Sequence, residues 1–369
     1  MTLREITIAN FKNIRDARLE FSPKINGLLG HNGMGKSNLL DAIYYLSYCR
    51  SYAGIPDAQL ITRGEGFTTI RGDYTRRGVE ENVAIGMMPG QRKSVKRKGK
   101  EYQRLSQHFG VFPLVLVSPA DQVIISGGAE ERRRFMDMMI AQNDPVYLDR
   151  LLRYTNALEQ RNKLLRDRVV DHHLYEAVEM TLVLSADEIY RGRKEWIERL
   201  QAVFDEYYHL IAGDDEPVKL SYAPPELPLQ LLLDQARRHD EMVGHTSVGP
   251  HRDDLTMTVG DLPARRMASQ GQCKTFTIAL RLAQYDFLSR TAGMKPLLLL
   301  DDIFDKLDAL RVERIISLAT RPNMGQIFIT DTNRDHLDQI MRRVGGDYRL
   351  WEVDSGHFTP ITTSNDEAQ

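Results

Sequence analysis

The chain has 369 residues, 42% of them hydrophobic and 27% charged, a composition typical of a globular protein with a full core and more than one lobe. Its formal net charge of −2 gives no general sign of a polyanion-binding protein. The two cysteines are too few for a disulfide framework, Met1–Thr7 lacks the apolar core of a signal peptide, and no run of 18 apolar residues occurs. We therefore expect a cytoplasmic protein that does not span a membrane.

The first elements in chain order lead into a phosphate-binding loop. Apolar patterns predict strands at Leu3–Ile8, Ala17–Phe21 and Ile25–Leu29, and a helix from about Ser37. Between the last strand and this helix, Gly30–Ser37 reads GHNGMGKS and fits the pattern G-x-x-x-x-G-K-[ST]. A glycine-rich turn before an ordinary helix is the alternative, but the order of strand, loop and helix favours the phosphate loop.

Each fixed residue of the loop has a chemical task. Glycines permit positive φ and close backbone approach, so that N–H groups surround phosphate oxygens. Lys36 is expected to reach the β and γ phosphates of ATP, and the Ser37 hydroxyl to ligate Mg²⁺. The residues predicted to bind nucleotide here are Gly30, His31, Asn32, Gly33, Met34, Gly35, Lys36 and Ser37.

The middle of the chain contains a basic run and then a long helical stretch. Alternating residues from about 67 to 100 predict an antiparallel meander, whose end carries Arg92, Lys93, Lys96, Arg97, Lys98 and Lys100. This run is either a nucleic-acid patch or a solvated hairpin tip. After the predicted strand Leu114–Val117, Asp144 and Pro145 form a helix start, and a second amphipathic helix follows Asp171. We predict a helical lobe at 126–240, inserted between residues 1–125 and 241–369 of a nucleotide-binding head.

The last third returns to alternating strands and helices. Strands are predicted at Leu255–Val259, Leu297–Asp301 and Gln326–Thr330, with helices at Gln272–Leu288 and Asp308–Leu318, which is the rhythm of a parallel α/β sheet. Asp301 and Asp302 end the middle strand at the edge where such sheets bind ligands. We expect Asp301 to hold Mg²⁺ through water and Asp302 to orient or deprotonate the attacking water. Without the phosphate loop, the same pair would simply begin a turn.

A third motif precedes the helix at 272. The segment Ser269-Gln270-Gly271-Gln272 resembles the signature of ABC-type ATPases, in which one subunit contacts the γ phosphate held by the loop of another. This resemblance implies that these four residues bind ATP in trans and that Asp308 is the D-loop residue. It also leaves open a second function, a nucleotide-binding subunit of a transporter, although the stretch between Ser37 and Ser269 is far longer than such subunits usually carry.

More narrowly, the chain resembles the RecF family of DNA replication and repair proteins, among the SMC/Rad50-like ATPases. The similar stretches are Ile8–Ile14, Gly30–Asn38, Arg132–Asp137, Gly249–Leu255, Ser269–Gln272 and Leu300–Asp308. The resemblance implies an ABC-type P-loop ATPase head of α/β class with an antiparallel β meander and an inserted helical lobe. It further implies ATP-dependent homodimers on DNA at gaps or single-strand/double-strand junctions, slow hydrolysis, and recombinase loading with RecO and RecR.

Several residues depart from this pattern or stay open. Asp302 replaces the glutamate usual in ABC-type ATPases, which favours slow turnover or a scaffold that binds ATP and scarcely hydrolyses it. Thr330 and Asp331 stand where a switch histidine is usual, and Gln122 is a candidate Q-loop residue. The Arg132–Arg134 cluster opens a helix, where cations oppose the dipole, so it either meets an anion, whether DNA phosphate or acidic side chains, or forms a solvated face. His251 with Asp253 and Asp254 favours a hydrogen-bonded turn over a zinc site.

Overall fold

The computed structural model describes residues 1–213, 217–266, 270–304, 307–321, 323–344 and 348–361. The chain divides into two compact units. The first comprises Met1–Asp121, Leu210–Ala212 and Ile278–Gln369, and the second comprises Gln122–His209 and Gly213–Thr277. Within the described ranges, no helix is long and apolar enough to cross a membrane.

The described residues form strands and helices with the following bounds. The strands are β1 Thr2–Phe11, β2 Ile14–Glu20, β3 Ile25–Leu29, β4 Thr68–Arg76, β5 Val79–Met87, β6 Ser94–Arg97, β7 Lys100–Glu101, β8 Leu114–Val117, β9 Val218–Ser221, β10 Thr256–Val259, β11 Leu262–Pro263, β12 Leu297–Asp301, β13 Ile327–Asp331, β14 Tyr348–Asp354 and β15 His357–Pro360. The α-helices are α1 Lys36–Tyr48, α2 Val123–Ser126, α3 Ala129–Ala141, α4 Pro145–Arg166, α5 His172–Ala212, α6 Leu229–Val243, α7 Gln270–Ala292, α8 Ala309–Ala319 and α9 Arg334–Val344.

Two sheets built from the described residues form the first unit. One is antiparallel, in the order β2-β1-β4-β5-β6-β7, and confirms the predicted meander as β4 to β7. The other has the order β15-β14-β3-β13-β12-β8, in which all neighbouring pairs are parallel except the hairpin β14-β15. Strands β8, β12 and β13 are buried along their whole length, as expected of continuous apolar runs in a parallel sheet. Because β3, β13 and β12 are parallel neighbours, their carboxyl ends lie at the same edge of the sheet.

Helices α2 to α4, α6 and most of α5, with the sheet β11-β10-β9, form the second unit. The predicted start of α4 is confirmed, because the Asp144 side chain accepts hydrogen bonds from the backbone of Val146 and Tyr147, both at 2.9 Å. Helix α5 runs for 41 residues and ends at Gly213, whose φ of 74° suits glycine. This unit continues to Thr277 and includes the antiparallel pair β9-β10, while the boundary at 240 stays a prediction.

Two arginines at the start of α3 hold the segment at Asp253 and Asp254 in place. Arg132 donates two hydrogen bonds to the carboxylate of Asp254, at 2.6 and 2.9 Å, and Arg133 donates to the carbonyl of Asp253 at 2.6 Å. Of the alternatives for this cluster, Arg132 meets an acidic side chain, that of Asp254, and Arg133 meets the backbone beside it. Such bidentate pairing fixes the position of the 253–254 turn.

His251 lies just before this segment and is held by two hydrogen bonds. Its Nε2 lies 3.0 Å from the carbonyl of Thr246 and its Nδ1 lies 2.7 Å from the Tyr154 hydroxyl. Because a carbonyl only accepts, Nε2 carries the proton and Nδ1 accepts from Tyr154. Burial lowers the pKa of His251 below its ordinary value. These two contacts are those of a hydrogen-bonded turn, the arrangement that the sequence favoured.

Candidate functional site: a phosphate loop and two strand-end carboxylates

The phosphate loop lies between β3 and α1, as predicted. Gly33 and Gly35 have φ values of 84° and 116°, which side chains rarely adopt. Gly30 does not have a positive φ, and glycine is needed there for space. A Cβ built at this position would lie 2.4 Å from the carbonyl oxygen of Val353 in β14. Helix α1 begins at Lys36, one residue earlier than expected, so its N–H groups open directly onto the loop.

Lys36 has a buried side chain that folds along the loop. Its ammonium donates to the carbonyl of Gly30 at 2.6 Å and to that of His31 at 3.0 Å. Burial lowers the pKa of Lys36, and the nearby carboxylates of Asp302, Asp301 and Asp331 oppose this shift. A cation held among three acids and two carbonyls is placed where phosphate oxygens would enter the loop.

Asp301 is the centre of a hydroxyl cluster at the end of β12. Its Oδ1 accepts from the Ser37 hydroxyl and from the Thr330 hydroxyl, each at 2.8 Å, and its Oδ2 accepts from the Tyr52 hydroxyl at 2.9 Å. The structure thus brings together the loop serine and the strand aspartate, which are 264 positions apart in sequence. Tyr52 was not singled out from the sequence, because nothing in its neighbours indicates that it reaches β12.

The hydroxyl of Ser37 and the carboxylate of Asp301 fit a magnesium ion. Mg²⁺ binds hard oxygen ligands and is usually held by one or two carboxylates together with substrate phosphates and water. The donor set therefore suits Mg²⁺ that arrives with a nucleotide.

Asp302 directly follows β12, and Asp331 ends the neighbouring strand β13. The backbone of Asp302 is left-handed, with φ of 48°, and its N–H donates to the Thr330 hydroxyl at 2.9 Å. Non-glycine residues in this conformation cluster at functional sites. Asp331 stands at the end of β13, where a switch histidine is usual in ABC-type ATPases. Its Oδ2 lies 2.8 Å from Nδ1 of His336, which comes from α9.

Two turns brace the loop at Met34. The Asn13 side chain, between β1 and β2, donates to the Met34 carbonyl at 3.2 Å, and the backbone N–H of Gly356 donates to the same carbonyl at 2.7 Å. Asn38 in α1 also donates to the Asn13 side chain at 2.7 Å. The hairpin β14-β15, which the sequence did not predict, therefore helps to fix the shape of the loop.

The remaining predicted site residues lie elsewhere. Ser269 lies outside the described residues, whereas Gln270, Gly271 and Gln272 begin α7 in the second unit. Asp308 caps α8, since its side chain accepts from the backbone N–H of Arg311 at 2.9 Å. Gln122 ends a short 3₁₀ turn after β8.

The basic run occupies the hairpin β6-β7, and several of its charges are paired. Lys93 lies 2.7 Å from a carboxylate oxygen of Asp57, and Arg97 and Lys98 contact Glu81 at 2.5 and 3.5 Å. Internal pairing reduces the charge that this hairpin offers to a polyanion. Both alternatives for the run therefore stay predictions.

Comparison with known proteins decides the family. Residues 2–65 match the model of the RecF/RecN/SMC N terminal domain. A DNA replication and repair protein RecF from Parabacteroides distasonis is 47% identical over 363 residues, which cover 98% of this chain and 100% of the relative. The chain belongs to the RecF family. A solved structure of the recombination mediator protein RecF-ATP in the RecFOR pathway matches with TM-score 0.87 at 29% identity, over 97% of this chain and 99% of that one.

A more distant structure supports the RecF fold. An Smc head bound to the C-winged helix domain of ScpA matches with TM-score 0.61 at 16% identity, over 100% of this chain and 99% of that chain. This likeness concerns the fold alone. The expected class, an ABC-type P-loop ATPase head with an antiparallel meander and an inserted helical lobe, is confirmed. Membership of the RecF family leaves the transporter alternative without support.

Proposed function

We propose that this chain is an ATP-dependent DNA-binding protein of recombinational repair and replication restart. Two copies join when ATP binds, and slow hydrolysis of ATP releases them. The proposed nucleotide ligands are Gly30–Ser37 of one copy with Ser269–Gln272 and Asp308 of the other. The contact between Ser37 and Asp301, at 2.8 Å, is the observation that carries the nucleotide site, because it joins the loop to the strand-end acid.

The proposed chemistry follows from the position of each group. Lys36 would neutralise the β and γ phosphates, and Ser37 with Asp301 would hold Mg²⁺. Bound Mg²⁺ would supply charge neutralisation at the phosphates. Asp302 would orient or deprotonate the attacking water from a left-handed turn that fixes its backbone. An aspartate is one methylene shorter than a glutamate, which supports slow turnover and the use of ATP mainly as a switch.

The dimer is supported by where the motifs fall in the chain. The phosphate loop belongs to the first compact unit, and Gln270–Gln272 belong to the second. The resemblance of this segment to the ABC-type signature supports its use in trans, with a second copy completing the site. Sedimentation velocity with Mg·ATP tests this arrangement: wild type should form a dimer and Ser269→Arg should stay monomeric. A dimer of Ser269→Arg induced by ATP would count against it.

DNA is the proposed macromolecular ligand, at gaps or single-strand/double-strand junctions. The name of the family and the RecFOR pathway of the matched RecF-ATP structure support this assignment. Duplex, single-stranded and gapped DNA should be titrated with and without ATP at several salt concentrations. Because binding to phosphates releases counterions, affinity should fall steeply with salt. Affinity that is flat with salt, or that is absent with ATP present, would refute DNA binding.

RecO and RecR are the proposed protein partners in loading recombinase, and the cytoplasm is the proposed compartment. The matched RecF-ATP structure is that of a recombination mediator in the RecFOR pathway, and both cysteines here are free thiols, as a reducing compartment requires. Pull-down of purified RecR by this chain, with gapped DNA and ATP, is the direct measurement. Equal recovery of RecR with beads alone would contradict the partnership.

A further inference from the structure

The Tyr52 hydroxyl completes the set of donors around Asp301. Ser37 and Thr330 donate to Oδ1 of this carboxylate, whereas Tyr52 donates to Oδ2 at 2.9 Å. Of these three donors, Ser37 is itself a proposed magnesium ligand, and Thr330 also accepts from the backbone of Asp302. Tyr52 is the donor whose hydroxyl is left to orient the acid.

The segment that carries Tyr52 is fixed by a buried carboxylate. Asp41 in α1 is fully buried and accepts from the Tyr52 backbone at 2.9 Å, from the Ser51 hydroxyl at 2.6 Å and from the Lys12 ammonium at 2.5 Å. The Tyr52 ring also packs edge-on against Tyr44, with centroids 5.8 Å apart. Anchoring at the backbone and at the ring leaves the hydroxyl little freedom to leave Asp301.

We propose that Tyr52 is a positioning residue for the magnesium ligand Asp301. The inference rests on the proposed function, since it assumes that Asp301 holds Mg²⁺ with the nucleotide. A hydrogen bond to Oδ2 fixes the rotation of the carboxylate and leaves the side of Oδ1, next to Ser37, as the direction toward the metal. Loss of such an outer partner typically costs about 10- to 100-fold in metal affinity.

The test compares Tyr52→Phe with wild type by binding a non-hydrolysable ATP analogue, first in EDTA and then across a Mg²⁺ titration. Removing one hydroxyl should leave the dissociation constant in EDTA unchanged and raise the Mg²⁺ concentration for half-maximal enhancement of binding by about 10- to 100-fold. Tyr74→Phe is the matched control, because among the described residues the buried Tyr74 hydroxyl has no hydrogen-bond partner. It should behave as wild type.

Two results would overturn the role of Tyr52. One is an unchanged Mg²⁺ requirement in Tyr52→Phe; the other is weaker binding in EDTA with no change in that requirement, which would indicate damage to the loop alone. Lys36→Ala separates this failure from that of the proposed function. If Lys36→Ala bound the analogue as tightly as wild type, the nucleotide site itself would be refuted, whatever Tyr52→Phe showed.

Discussion

Replacing Arg161 with Met should destabilise the helical unit far more than removing a surface charge. Arg161 is fully buried, and its guanidinium donates to Glu179 at 2.8 Å and to Asp240 at 2.7 Å. Both carboxylates are also buried, and the substitution removes the cation that they share. Glu179 then keeps only its ion pair with Arg237, at 2.9 Å, and Asp240 is left with no cation among its hydrogen-bond partners in the described residues. Breaking a buried pair in this way costs about 3–5 kcal/mol. For a unit of this size, about 2–4 °C per kcal/mol predicts a melting temperature lower by about 6–20 °C.

Differential scanning calorimetry of the full chain measures this shift. Arg191→Met, in the same helix unit, is the control, because Arg191 and its partner Glu188 form a solvent-facing pair worth about 0–1 kcal/mol. Both variants should still bind nucleotide below their melting temperatures, since the phosphate loop belongs to the first unit. Equal melting temperatures for Arg161→Met and Arg191→Met would refute the predicted contribution of the buried ion pairs to stability.

Three further outcomes follow from the structure. Gly30→Ala should weaken ATP binding in a filter assay, because its Cβ would clash with the backbone of β14, whereas Gly86→Ala, with open space around it, should not; equal binding would contradict the clash. Asp302→Asn should keep ATP binding and lower phosphate release by about 10²-fold or more, and an unchanged rate would deny it a catalytic role. Burial lowers the pKa of His251 in the folded chain, so the unfolded chain binds this proton more readily than the folded chain as pH falls below about 6.5. The free energy of unfolding, measured with urea, should fall below that pH by up to about 1.4 kcal/mol per pH unit, and it should fall less in His251→Gln. If wild type and His251→Gln lost stability at the same rate with pH, His251 would not be the cause.

Local signals explain what the sequence could predict. The strand, loop and helix around Gly30–Ser37 lie within a short stretch, and Asp144 caps the helix that begins at the next residue. Their causes are backbone conformation and capping, which act over a few residues. The strand of Asp301 was predicted for a similar reason, because a run of four leucines ends at the acid.

What the sequence missed depends on distant partners. Strand β14 lies parallel to β3, more than 300 residues away, and its turn at Gly356 contacts the phosphate loop. The contact of Tyr52 with Asp301 exists only because the fold places the two residues side by side. The alternatives for Arg132 stayed open for the same reason, since its partner Asp254 comes 122 positions later. The periodicity of a sequence does not show which charged side chains will pair in the fold.

Mixing two inactive variants tests the composite nucleotide site most directly. Lys36→Ala lacks a working loop and Ser269→Arg lacks a working signature, so each alone should stay monomeric with Mg·ATP in sedimentation velocity. In a mixed dimer built in trans, the intact loop of Ser269→Arg meets the intact signature of Lys36→Ala, and one site is restored. An ATP-dependent dimer is therefore expected in the mixture and in neither variant by itself. A mixture that stays monomeric while wild type dimerises would contradict a site shared between two copies.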